Sequence, residues 1–296
     1  MTPWIEAMRL RTLPVSVAGV LAGTACAAYH HGFNALPMAI CLAFAIIAQI
    51  ASNFANEYYD FKNGLDKKGR EGFRRGVTEG DISPAAMKRA TYILLGLDIL
   101  LGCSLIIWGG IGLIPVGAAI AVFAVGYSAG PYPLSHHGLG DIAVIIFFGL
   151  VPVLFTEYVQ LGVFTPDYVS ICVAFAVGIM AANVLIVNNY RDFEDDKAVG
   201  KHTTVVIFGR KTMARVYLLN GIAAAACIAI ATSSAPVGVS QGWVGYLVCH
   251  LTYYSYLQNR KGSELNKLLK YTSILLLLVA VYLLILLSVY PSPAKP

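Results

Sequence analysis

Charge is what this 296-residue chain has least of: Asp, Glu, Lys and Arg make up 12% of it, against 57% hydrophobic residues. A soluble domain carries about twice that share of charge, so the composition excludes an ordinary soluble protein. Paired cysteines are missing as well. Cys26, Cys41, Cys103, Cys172, Cys227 and Cys249 stand singly inside apolar runs, which excludes a thiolate zinc site or a disulfide framework as the organising feature. Alternation is the third absence: the apolar runs are continuous and roughly 17 to 23 residues long, where barrel strands would be about ten residues of alternating character. Helices satisfy their own backbone groups in a medium without water. The expectation is an all-α integral membrane protein, a single transmembrane domain over residues 1–296.

Nine spans are read along the chain, over residues 14–29, 36–55, 90–108, 111–127, 142–158, 168–187, 213–231, 243–257 and 268–289. With loops assigned alternately to two sides, the side of the N-terminus collects twenty of the twenty-one Lys and Arg, and only Lys295 falls on the other. Positive residues accumulate on the cytoplasmic side. The N-terminus is therefore expected in the cytoplasm, with polar cytoplasmic loops near 56–89 and 188–212, in a cell inner membrane. The formal net charge of +5 is accounted for by this placement, and no nucleic-acid partner is expected.

Two of those loops open on one pattern. Asn56, Tyr58, Asp60 and Phe61 repeat as Asn188, Tyr190, Asp192 and Phe193, each set closing an apolar run. Four crossings separate the copies, so both open on the same face. Asn56, Asp60 and Asp66 on one side, with Asn188, Asp192 and Asp196 on the other, offer hard oxygen ligands, which suit Mg²⁺ bridging carboxylates to substrate phosphates. Two acidic clusters repel unless cations lie between them, and a diphosphate needs cations for the same reason. Among the basic residues Arg9, Arg11, Arg70, Arg191 and Lys201 lie nearest these clusters, with Lys62 and Tyr127 at neighbouring helix ends. A diphosphate site in an otherwise apolar protein points to a lipid diphosphate whose tail stays in the bilayer.

Further segments carry a signature: Arg9-Leu10-Arg11-Thr12-Leu13-Pro14; Asn53 through Asp66; Gly130-Pro131-Tyr132-Pro133-Leu134 with Gly138-Leu139-Gly140-Asp141 and Phe147-Phe148-Gly149; and Asn188-Asn189-Tyr190-Arg191-Asp192 with Asp196 and Gly200-Lys201-His202-Thr203. On these residues the chain resembles the UbiA superfamily of intramembrane prenyltransferases, within it the MenA-type 1,4-dihydroxy-2-naphthoate polyprenyltransferase branch. The resemblance implies about nine helices around a central cavity and two aspartate-rich motifs holding Mg²⁺ and a polyprenyl diphosphate. It also implies prenylation of dihydroxynaphthoate with loss of CO₂, giving demethylmenaquinone in menaquinone biosynthesis. Carried onto this sequence, Asn56, Asp60, Asp66, Asp192 and Asp196 are the metal residues. Asn56, Asp60 and Asp192 are catalytic, and Arg11, Lys62, Arg70, Tyr127, Arg191 and Lys201 bind the diphosphate. Glu57 departs from the branch's usual aspartate, and Asp195 adds a carboxylate beside Asp196.

Other readings keep hydroxybenzoate or homogentisate as acceptor, or make the chain a transporter, for which buried charge would line a midplane path. Only Asp98 lies well inside a span, and a helix-packing hydrogen bond is expected for it. His136 and His137 are read as exposed loop residues, and Asp141 as an N-cap.

Overall fold

The computed structural model describes residues 2–69 and 72–293, which form helices joined by short loops, with no β-strand among them. Nine long helices follow one another: α1 (Leu13–Tyr29), α2 (Ala35–Lys62), α3 (Pro84–Gly109), α4 (Leu113–Gly126), α5 (Gly140–Leu161), α6 (Tyr168–Arg191), α7 (Thr204–Ala231), α8 (Gly242–Asn259) and α9 (Leu265–Val289). Each expected span falls on one of them. Six, namely α2, α3, α5, α6, α7 and α9, are long and apolar enough to cross a membrane. The 14 residues of α4 rise only about 21 Å, short of a hydrocarbon layer of about 30 Å. The 18 residues of α8 include His250, Thr252 and five tyrosines or glutamines between Tyr246 and Gln258. The nine-span count therefore exceeds what length and composition establish.

Of these six, α6 is the most enclosed, with 72% of its most apolar stretch buried, between α1, α5, α7 and α9. Small residues bring its neighbours close, as membrane helices require when lipid offers no hydrophobic contrast. Gly149 in α5 lies so near Gly178 in α6 that a Cβ on Gly149 would stand 2.4 Å from the Gly178 Cα. That contact sits in a π-helical segment, Ile145–Leu150.

On the face opposite the two repeated motifs, His30 just beyond α1 donates to Glu157 (2.9 Å, α5) and to Asp167 (3.3 Å, ahead of α6), while the Ser170 hydroxyl donates to Glu157 (2.7 Å). The hydrogen bond to Glu157 raises the His30 pKa above its ordinary value. A raised histidine pKa means the fold holds the proton more tightly than the unfolded chain. The stabilisation is complete below about pH 6.5 and fades as pH rises through the folded-state value. Thermal midpoints in detergent are expected to fall from about pH 6 to about pH 9 more steeply for the wild type than for His30→Gln. Parallel pH curves would show that this link contributes nothing.

Candidate functional site

Both repeated motifs end long helices, and in both a glycine turns the chain back. At the end of α2, Gly64 adopts φ +70° and the Leu65 N–H returns to the Asp60 carbonyl (2.8 Å). After α6 a short helix, Phe193–Ala198, ends at Gly200 with φ +73°, and the Lys201 N–H returns to the Asp196 carbonyl (2.9 Å). Left-handed glycines close helices in this way. Here the second one sends Lys201 across to the first motif.

Asp60 is buried. Its Oδ1 lies 3.3 Å from His136 Nε2, and its Oδ2 takes Lys201 Nζ (3.3 Å) and Asn56 Nδ2 (3.2 Å). Asn56 in turn donates to Ser128 Oγ (2.9 Å), while its Oδ1 accepts from Arg9 (2.5 Å) and Arg75 (3.1 Å). The Arg75 guanidinium also faces Asp66 (3.3 Å). In the second motif Arg191 forks onto Asp192, with Nε to Oδ1 at 2.7 Å and Nη2 to Oδ2 at 2.9 Å, and reaches Asn188 (2.8 Å) and Asn266 (2.9 Å). A fork of two parallel charge-assisted bonds is geometrically strict.

The loop after the first motif bridges the two. A Cβ on Gly72 would stand 2.9 Å from the Arg191 guanidinium and 3.0 Å from Asp192, so a larger residue here would push on the Arg191–Asp192 fork. Next to it, Phe73 carries three guanidinium groups over its ring: Arg191 at 5.2 Å, and Arg9 and Arg11 at 5.9 Å.

A cavity of about 140 Å³ lies between the motifs. Of the expected site residues, Asn56, Tyr127, Arg191, Asp192, Asp196 and Lys201 line it. Asp60 lies one layer behind, through Asn56 and Lys201, and Asp66 is covered by Arg75. Lys62 and Arg11 are exposed and off the cavity wall, although Arg11 rests on Phe73. Arg70 lies outside the described residues. Of the adjacent carboxylates, Asp196 is buried and on the wall, and Asp195 is not. Glu57 is buried facing away, where it accepts from the Val77 N–H (3.0 Å).

Two residues depart from expectation, and a third, Arg75, was not singled out in the sequence. His136 is not a free loop side chain, since it meets Asp60, and its carbonyl accepts from the His202 N–H (3.1 Å). Asp141 does not cap its helix. It accepts from the Thr204 hydroxyl (2.5 Å) and so ties the loop that carries His136 to the loop that carries Lys201. Arg75 was hidden in the sequence because Lys and Arg crowd these loops for topological reasons alone.

Oxygen donors from both motifs, with neither sulfur nor histidine on the cavity wall, select a hard cation. Among the described residues no three His, Cys, Asp or Glu side chains group closely enough to hold a metal ion by themselves. Magnesium, for its part, keeps waters and takes much of its shell from phosphate. The cations now facing the carboxylates, Arg75, Lys201 and Arg191, are of the kind that a diphosphate recruits.

The chain matches the UbiA prenyltransferase family over residues 16–274. It is 36% identical over 259 residues to a 1,4-dihydroxy-2-naphthoate octaprenyltransferase of Haemophilus influenzae, covering 82% of this chain and 80% of that one. A namesake from Escherichia coli is 35% identical over 233 residues, covering 77% and 75%. Among solved structures, a UbiA homolog from Archaeoglobus fulgidus bound to GPP and Mg²⁺ superposes with a TM-score of 0.66 at 17% identity, covering 95% of this chain and 99% of that one.

Proposed function

Because the chain belongs to the UbiA prenyltransferase family, we propose that it transfers the polyprenyl group of a polyprenyl diphosphate to 1,4-dihydroxy-2-naphthoate. Diphosphate and CO₂ leave, and the prenylated naphthalene-1,4-diol forms, the reduced state of demethylmenaquinone on the route to menaquinone. The observation that carries the reading is the single cavity lined by Asn56 from one motif and Asp192 and Asp196 from the other. The acceptor follows from the names of the relatives, which are about one-third identical over most of the chain.

In this reading Asn56, Asp192 and Asp196 on the cavity wall would hold Mg²⁺, with the expected metal residues Asp60 and Asp66 standing behind Lys201 and Arg75; the ion would neutralise the diphosphate as a leaving group. Arg9, Arg75 and Lys201 stand at the same cavity and take further phosphate oxygens. Arg191 holds Asp192 in place. The allylic C1–O bond breaks with its electron pair going to the diphosphate. The ring carbon that bears the carboxylate attacks C1, and that carboxylate departs as CO₂, returning its bonding pair to the ring so that no proton need move. Phe123 and Phe148 wall the cavity, where aromatic faces stabilise the positive charge that develops on carbon.

The proposed topology has nine crossings, with the N-terminus and the site at the cytoplasmic face of the inner membrane; the one-sided distribution of Lys and Arg supports it. Turnover in purified protein is expected to stop in excess EDTA and to return on addition of Mg²⁺. Transfer that persists without divalent metal would remove the ion from the mechanism.

A further inference from the structure

A second cavity, of about 430 Å³, lies between α1, α2, α3, α4 and α5. Gln49, Ser52, Phe123 and Phe148 line both cavities, so the two adjoin at these four side chains. Its walls are almost wholly apolar, with Phe44, Phe155 and the pair Phe123 and Phe147, whose rings stack at 4.0 Å. Polar groups at the junction are partnered: Ser16 donates to Gln49 (3.1 Å), and Gln49 donates to Asn53 (3.2 Å).

Asp98 is the exception. Its side chain belongs to α3, only 6% of the residue is exposed, and it lines the apolar cavity. Neither carboxyl oxygen has a hydrogen-bond partner among the described residues, so the packing bond expected from the sequence is not made. Buried polar groups are nearly always satisfied, and an unsatisfied carboxyl facing a cavity invites a donor from a ligand. Asp98 shares a face of α3 with Gly102, one turn on, and Gly102 packs on Phe44 of α2. In these antiparallel helices Asp98 therefore stands near the level of Ala48, about 12 Å below Asn56 along α2.

We propose that Asp98 accepts a hydrogen bond from a ring hydroxyl of the aromatic acceptor, and that the phenylalanine-walled cavity is the acceptor's binding site. The inference rests on the function proposed above and specifies its second substrate's position. Dihydroxynaphthoate carries its carboxylate and 1-hydroxyl at one edge and its 4-hydroxyl across the ring. With the acidic edge turned toward the junction with the smaller cavity, the 4-hydroxyl points down the apolar cavity to Asp98, and the ring lies among the phenylalanines. A site built to bond a hydroxyl rejects an analogue that lacks it, because the buried partner is then stranded.

The test compares dihydroxynaphthoate with 1-hydroxy-2-naphthoate, which lacks the 4-hydroxyl, in wild type, Asp98→Asn and Asp98→Leu. Both equilibrium binding, by fluorescence of the naphthoate, and steady-state turnover are measured. Wild type is expected to bind the dihydroxy compound about tenfold more tightly or better. Asp98→Asn, which keeps an acceptor oxygen, should retain the preference, and Asp98→Leu should lose it. KM for the acceptor should rise in Asp98→Leu while KM for the prenyl diphosphate stays put. Equal preference in wild type and Asp98→Leu, or equal shifts in both KM values, overturns the role of Asp98. Selective binding without turnover in wild type sinks the proposed reaction instead.

Discussion

Asp192→Asn is expected to lower prenyl transfer by about 10²- to 10³-fold while the protein accumulates and melts as the wild type does. Asparagine keeps one acceptor oxygen for Arg191 and the shape of the side chain but loses the charge that a cation needs, and urea unfolding of the same preparations separates lost chemistry from lost fold. Alanine is a poorer probe. Removing the carboxylate would leave a buried guanidinium without its counter-charge, which costs about 3–5 kcal/mol, so lost activity would be confounded with lost fold. Turnover of Asp192→Asn at the wild-type rate would take Asp192 out of the chemistry.

Asp60→Ala is expected to fail in a different way. His136, Lys201 and Asn56 all meet this carboxylate, so its loss releases two loops and one motif residue together. Turnover should fall by about 10²-fold, and the Mg²⁺ concentration giving half the maximal rate should rise by about 10- to 100-fold, as when a metal site loses supporting contacts. A Mg²⁺ titration of initial rates separates the two effects. An unchanged magnesium requirement would place Asp60 outside the metal site and leave it a tie between loops.

Much of this site is written locally. The doubled pattern at Asn56 and Asn188 was legible because polar residues at the end of an apolar helix stand out, and the spacings to Gly64 and Gly200 encode the turns that bring Asp66 and Lys201 back. The helices were legible for the same reason, since a hydrocarbon medium demands long apolar runs. The number of crossings was less so, because α4 and α8 lack the length or the apolar character to decide it. What stayed hidden depends on tertiary contact. Arg75 looks like any other cationic loop residue until it is seen buried against Asp60, Asp66 and Asn56. His136 reads as a solvent-facing residue until the bond between Asp141 and Thr204 and the pairing of His136 with His202 hold its loop against the first motif. Asp98 is conspicuous in a sequence, but only the structure shows that neither of its oxygens has a hydrogen-bond partner among the described residues.

The most direct test of a single diphosphate site serving a prenyl transfer is product identity. Purified protein is incubated with Mg²⁺ and a polyprenyl diphosphate, dihydroxynaphthoate and hydroxybenzoate are offered in parallel, and the products are identified by mass. The account predicts a prenylated naphthalene-diol, lighter than the simple adduct by one CO₂, from the first acceptor and no product from the second. A prenylated hydroxybenzoate, or no prenylated product from either acceptor, would contradict it.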